Sequence, residues 1–311
     1  TPPVNCTMSI SKYIKEIGRG KDGARHLNRE QAADLFGQLL DGSASDLEMG
    51  AFCLAMRIKG ETPQEMACFL DATHAQLHAI PVQDGTTVVL PSYNGARKLP
   101  VLTPLLALLL ARQGLAVVVH GNASEDSRIS AQNVLEALDV HALKAITSIA
   151  PGVVQFVPTT LLHAGLARLL AVRRVVGLRN SAHSLVKLLN PCAGPALLVG
   201  SYTHPEYAVS MTETLKTVHA TALLLRGTEG EPVADARRTP AMDAIHEGHC
   251  SRVQDAQVGP LTQLPNLPAL DAQSTAVWTQ QVLSGHLPVP APIAKQVAHI
   301  LHLSAKTRRT T

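Results

Sequence analysis

Five short apolar runs, spaced so that helices fit between them, constrain this chain more than any other feature. They are Thr86–Leu90, Ala116–His120, Val153–Val157, Ala196–Tyr202 and Thr221–Leu225. Each is too short for a helix, rich in Val or Leu, and bounded by turn-forming residues, which reads as buried strand. Helical patterns lie between them, near residues 103–113, 131–138, 159–171, 181–189 and 205–218. Consecutive parallel strands need a crossover, and a helix supplies it, so the pattern predicts a mainly parallel sheet wrapped by helices. The second run, Val117–Val119, empties into a polar turn, His120-Gly121-Asn122. In an open α/β sheet the loops at the carboxyl ends of strands face ligand.

The segment ahead of the strands has a different period. Asn28 with Gln31, Ser45 with Glu48, and Thr62 with Glu65 are spaced as capping boxes, and Pro63 stands at a favoured first helical position. Gly42 and Gly60 stop the first two helices, while Leu35, Phe36, Leu39 and Leu40 make one apolar stripe and Phe52, Cys53 and Met56 another. The prediction is therefore a small helical domain over residues 8–80 and an α/β domain over 81–311, with part of 160–190 packing on the helical domain. Residues 227–270, rich in Pro, Gly, Asp and Thr, read as loops or an insertion, and helices return near Thr275–Leu283 and Ile293–Leu303. Thr1–Thr7, ahead of Met8, are expected to have no fold role, and the Lys306–Arg309 tail to be loose.

Composition excludes several classes. With 46% hydrophobic and 16% charged residues over 311 positions, the chain is globular. Its five cysteines are scattered with no C-x-x-C pair, which fits a reducing cytoplasm. The longest apolar run, Leu105–Ala111, is too short to cross a bilayer, and no signal-type apolar segment opens the sequence. The pairs His74/His78, His246/His249 and His299/His302 lack a carboxylate or cysteine at ligand spacing and read as surface or half-buried histidines. No G-x-S-x-G, P-loop or G-x-G-x-x-G occurs.

A net charge of +3 decides nothing, but its distribution is uneven. Arg168, Arg173, Arg174, Arg179 and Lys187 fall in one segment with no acidic residue among them. After the first strand, Tyr93-Asn-Gly-Ala-Arg-Lys98 joins an Asn-Gly turn to Arg97 and Lys98, so backbone N–H groups and two cations form a candidate anion cradle. Aromatic residues are only 3%, so contacts with nucleic acid would rest on phosphates rather than base stacking.

Several of these stretches together resemble one family. Phe52-Cys-Leu-Ala-Met-Arg-Ile-Lys-Gly-Glu-Thr62, His120-Gly-Asn122, Arg173-Arg-Val-Val-Gly-Leu-Arg-Asn180 leading to Leu188-Leu-Asn-Pro191, and Leu225-Arg-Gly-Thr-Glu-Gly-Glu231 occur in the order of motifs in anthranilate phosphoribosyltransferase and its nucleoside-phosphorylase-like class. The resemblance implies a helical domain that dimerises, an α/β domain, and a pocket around Ser92, Asn94, Gly95, His120, Gly121, Asn122 and Arg173. It also implies Mg²⁺ with phosphoribosyl pyrophosphate as the family's metal and substrate, with Glu229 and Glu231 at the metal positions.

The departures fall on that chemistry. The family's glycine-rich diphosphate loop is Ser92-Tyr-Asn-Gly-Ala-Arg97 here, Val119 replaces the lysine before the His-Gly-Asn turn, Lys187 replaces a proline, and the adjacent Asp-Glu pair is reduced to Gly230-Glu231. Charge stabilisation and metal neutralisation carry most of the catalysis in such a transfer, so both losses weigh against an enzyme. The pattern resembles the YbiB-type branch, which implies nucleic-acid binding without strong sequence preference. The expectation is a cytoplasmic homodimer that needs no cofactor and holds DNA or RNA phosphates in a groove of Arg97, Lys98, Arg128, Arg168, Arg173, Arg174, Arg179 and Lys187. The alternative is a Mg²⁺-dependent anthranilate phosphoribosyltransferase of tryptophan biosynthesis.

Overall fold

Three reciprocal caps set the N-terminal helices. In the computed structural model, which describes residues 9–20, 22–81, 85–122, 128–261 and 264–307, α2 (Arg29–Asp41), α3 (Asp46–Lys59) and α4 (Pro63–His74) each begin with the capping box the spacing predicts. A shorter α1 (Ser11–Ile17) precedes them. Their apolar stripes meet at Phe36, Phe52 and Phe69, where Phe36 stacks on Phe69 at 4.5 Å and Phe52 meets both edge-on. Thr1–Met8 and the arginines of the C-terminal tail, Arg308 and Arg309, lie outside the described residues, as do Ala123–Ser127 of the loop after β2.

The sheet has seven strands in the order β3-β2-β1-β4-β5-β6-β7. β1 (Thr87–Ser92), β2 (Ala116–Gly121), β3 (Val154–Pro158), β4 (Leu197–Tyr202) and β5 (Thr221–Arg226) are parallel and nearly all buried. Helices α5 (Thr103–Arg112), α6 (Ala131–Ala137), α11 (Ala272–Leu283) and α12 (Ala291–Thr307) share one hydrophobic cluster with one set of strand side chains. α10 (Glu206–Thr217) joins the other cluster. The two succeeding strands, β6 (Met242–His246) and β7 (His249–Gln254), form an antiparallel hairpin inside the stretch expected to be loops. Their turn, Glu247-Gly248, has two positive φ angles, the geometry that suits a tight hairpin.

Between β3 and β4 the chain leaves the sheet. α8 (Ala164–Val176) and α9 (Ser181–Leu185) pack on α2, α3 and α4, and the single-turn α7 (Thr159–Leu162) joins β3 to α8. Close approach explains the glycine that follows the start of α8. A Cβ on Gly165 would lie 1.8 Å from the Leu40 carbonyl oxygen. The segments that connect helices to sheet pair with each other, Ile80 N–H donating to the Pro191 carbonyl at 2.9 Å and Ala193 N–H to the Ile80 carbonyl at 2.8 Å. Strand order reverses between β1 and β4, which makes the crevice at their carboxyl ends the topological switch point where open α/β sheets bind ligands.

Candidate functional site

Two loops meet beyond that switch point. The loop after β1 directs its backbone N–H groups at the turn after β5, Thr228–Gly230, and both carboxylates of that turn accept them. Glu231, buried to 1% exposure, takes the Asn94 and Gly95 N–H groups on Oε1, each at 2.9 Å. Its Oε2 takes the Ser92 hydroxyl at 2.5 Å and the Thr103 hydroxyl at 2.8 Å. Glu229 accepts the N–H groups of Arg97 at 2.8 Å, Lys98 at 2.9 Å and Leu99 at 3.2 Å. The sequence-predicted cradle thus exists as a geometry, and the chain's own carboxylates fill it.

The turn is fastened on its other side. The Asn94 side-chain amide donates to the Glu229 carbonyl at 2.8 Å. Lys187 Nζ and the Ser201 hydroxyl both donate to the Gly230 carbonyl at 2.9 Å. Burial pulls the Lys187 ammonium down to a pKa of about 8, against the opposing pull of Glu231. Arg128 reaches over the loop to the Asn94 carbonyl at 3.2 Å.

His120 and Gly121 close β2 beside this cradle and are buried. His120 has no exposed surface; its Nδ1 pairs with the Tyr93 hydroxyl at 2.8 Å, which also meets Thr159 at 2.9 Å. Burial pushes the imidazole down to about 3, so it is neutral. Gly121 is required by packing, because a Cβ there would meet the Ser92 carbonyl oxygen at 2.1 Å. Asn122 is half-buried.

The cations divide by role. Arg97 and Lys98 have exposed side chains, although their amides are engaged. Arg168 donates to the Leu39 carbonyl near the end of α2, a helix-capping contact. The His183 pKa falls to about 4 through burial first and then through the positive charges of Arg179, Arg173 and Lys187. Arg174 is exposed beside them in the last turn of α8.

A cleft of about 470 Å³ opens between the helical layer and the sheet, lined by Arg57, Arg179, His183 and Lys187. Glu61 is the one carboxylate among the described residues lining it, and Glu61 accepts the Ser181 hydroxyl. Arg57, which sequence reasoning missed, donates to the Arg179 carbonyl at 3.1 Å. Tyr202, His204 and Tyr207 supply an aromatic wall that the low aromatic content gave no reason to expect.

Mg²⁺ with a diphosphate ester does not fit these residues. Magnesium needs oxygen ligands in near-octahedral array, yet the oxygens of Glu229 and Glu231 are committed to amide and hydroxyl donors. A diphosphate would require the same amides. Among the described residues no cluster of three His, Cys, Asp or Glu side chains forms a metal site, and no helix is long and apolar enough to cross a membrane.

The fold is of the phosphoribosyltransferase type, and comparison places it: the chain belongs to the anthranilate phosphoribosyltransferase-like family. Residues 11–76 match the model of the glycosyl transferase family, helical bundle domain. The uncharacterized protein YbiB of Escherichia coli (strain K12) is 38% identical, over 94% of this chain and 93% of its own. Anthranilate phosphoribosyltransferase of Idiomarina loihiensis is 29% identical, over 90% and 86%. Among solved structures, anthranilate phosphoribosyltransferase from Thermus thermophilus superposes with a TM-score of 0.73 at 22% identity, covering 97% of this chain and 89% of that one. The Saccharomyces cerevisiae protein in complex with PRPP and Mg gives 0.70 at 14%, covering 96% and 89%. These likenesses bear on the fold.

Proposed function

We propose that this chain binds nucleic acid, DNA or RNA, through phosphate contacts in a basic groove, without strong sequence preference and without a metal or cofactor. The observation that carries the reading is the lining of the cleft, where Arg57, Arg179 and Lys187 stand with His183 and, among the described residues, Glu61 is the one carboxylate. Arg174, Arg97 and Lys98 are exposed cations outside the cleft lining and belong to the groove in this reading, with Arg128, which reaches the Asn94 carbonyl; Arg168 contributes less, being tied to α2. The filled cradle supports the same reading, since it leaves the phosphoribosyl chemistry without its amides.

With about six phosphates engaged, affinity for duplex DNA falls with a log–log salt slope of about −5. Changing Arg173, Arg174 and Arg179 together to Glu abolishes binding while the circular dichroism spectrum is retained. Unaltered affinity in that variant, or binding indifferent to salt, would exclude this groove.

The chain acts as a homodimer in this reading, in the cytoplasm. On α3, Leu47, Leu54 and Ile58 lie on one helical face with exposures of 84%, 47% and 60%, and Val175 at the end of α8 is 89% exposed. An apolar stripe of that kind supports a second copy as its cover. The competing reading, a Mg²⁺-dependent anthranilate phosphoribosyltransferase, is favoured by the names of relatives at 27–30% identity. Calorimetric titration with phosphoribosyl pyrophosphate and Mg²⁺ separates the two: micromolar binding with turnover of anthranilate establishes the enzyme.

A further inference from the structure

The cradle and the turn that fills it form one device. Successive backbone N–H groups converging on one point are how a chain holds phosphate oxygens. Here five such groups, from Asn94, Gly95, Arg97, Lys98 and Leu99, converge on two carboxylates of the same chain. The Asn94 Oδ1 atom, inside the same contact, is buried with no hydrogen-bond partner. The turn reaches this position only through backbone that side chains disfavour: Glu229 sits at φ 54° and Gly230 at φ 89°. Such a conformation is disfavoured at a non-glycine residue and persists only where surrounding contacts determine it.

We propose that the 228–231 turn is an internal anion, filling a phosphate-type amide cradle and holding it shut, so that a phosphate group enters only when the turn is drawn off. Lys187 connects this lock to the basic cleft, since its ammonium lines the cleft and holds the Gly230 carbonyl. The inference does not rest on the nucleic-acid reading. The phosphate can be free or the terminal group of a strand, and the chemistry recognised is the same.

Pyrophosphate is the probe, titrated calorimetrically into the native chain, into the double variant Glu229→Ala/Glu231→Ala and into Gly230→Ala. The last keeps both carboxylates but strains the turn, because a side chain at φ 89° is disfavoured and its Cβ, 2.2 Å from Asn94 Nδ2 and 3.0 Å from Lys187 Nζ, pushes away the two side chains that fasten the turn. The native chain takes up no pyrophosphate at millimolar concentration, and both variants bind it at least tenfold more tightly. Native binding as tight as that of the variants, or folded variants that bind none, overturns the proposal.

Amide exchange on the native chain covers the case in which both variants unfold. The Asn94, Gly95, Arg97, Lys98 and Leu99 amides are protected and unaffected by pyrophosphate, and free exchange there sinks the internal lock. A 5′-phosphorylated oligonucleotide that displaces pyrophosphate from a variant, where its 5′-hydroxyl counterpart does not, identifies a strand end as the source. Displacement by neither identifies free phosphate.

Discussion

Glu65 shows how one carboxylate organises the helical layer. Its side chain has no exposure and accepts the Leu27 N–H at 2.8 Å, the Thr62 N–H at 2.9 Å and Lys59 Nζ at 2.7 Å, while Lys59 is itself 2% exposed. Removing one partner of a buried ion pair leaves an unpaired charge and costs about 3–5 kcal/mol. Glu65→Ala is therefore expected to lose that much in urea denaturation. A loss under about 1 kcal/mol would mean that water reaches Lys59. The sequence discloses part of this residue's role, because a capping box is local: Thr62 and Glu65 are three positions apart. It does not disclose Lys59 as the ion partner, nor the pairing of Glu229 and Glu231 with the loop after β1, whose members lie more than a hundred positions apart.

At the scale of elements, the strands and helices over 86–225 were legible because burial on both faces leaves continuous apolar runs. The β6–β7 hairpin was not, because β7 is an edge strand with exposed, polar side chains and carries no apolar period. Arg252 on β7 pairs with Asp243 on β6, and charges of this kind discourage further strands from joining an edge. His120 misled for a related reason: a polar residue at a strand end reads as loop, yet the ladder continues through Gly121. α3 presents the opposite case, a helix with a second apolar face that the other described residues leave exposed. Leu47→Glu with Ile58→Glu is expected to convert dimer to monomer in sedimentation equilibrium without loss of helicity. A variant that still sediments as a dimer places the interface elsewhere.

For the molecule as a whole, two deeply buried histidines contribute to the response to acid. His120 and His183 are both held neutral, mainly by burial, near 3 and 4 against 6.5 for a free imidazole. The unfolded chain binds more protons than the folded one between those values, so stability is full above about pH 6.5 and falls as pH drops toward 4. Each group contributes a slope of up to about 1.4 kcal/mol per pH unit. Thermal melts at pH 7 and pH 5 check this: the midpoint is lower at pH 5, and His183→Asn reduces the difference. An equal midpoint at both values would show that neither imidazole is shielded.

The excursion of α7, α8 and α9 out of the sheet also governs the order in which the chain is completed at the ribosome. The first four helices emerge early, but α8, which covers α2 and approaches Leu40 through Gly165, follows about ninety residues after α4, once three strands have been made. The helical layer must wait, partly unclosed, for a segment encoded in the middle of the sheet. A fragment ending near residue 76, where the helical-bundle match stops, therefore lacks the surface that finishes its own fold.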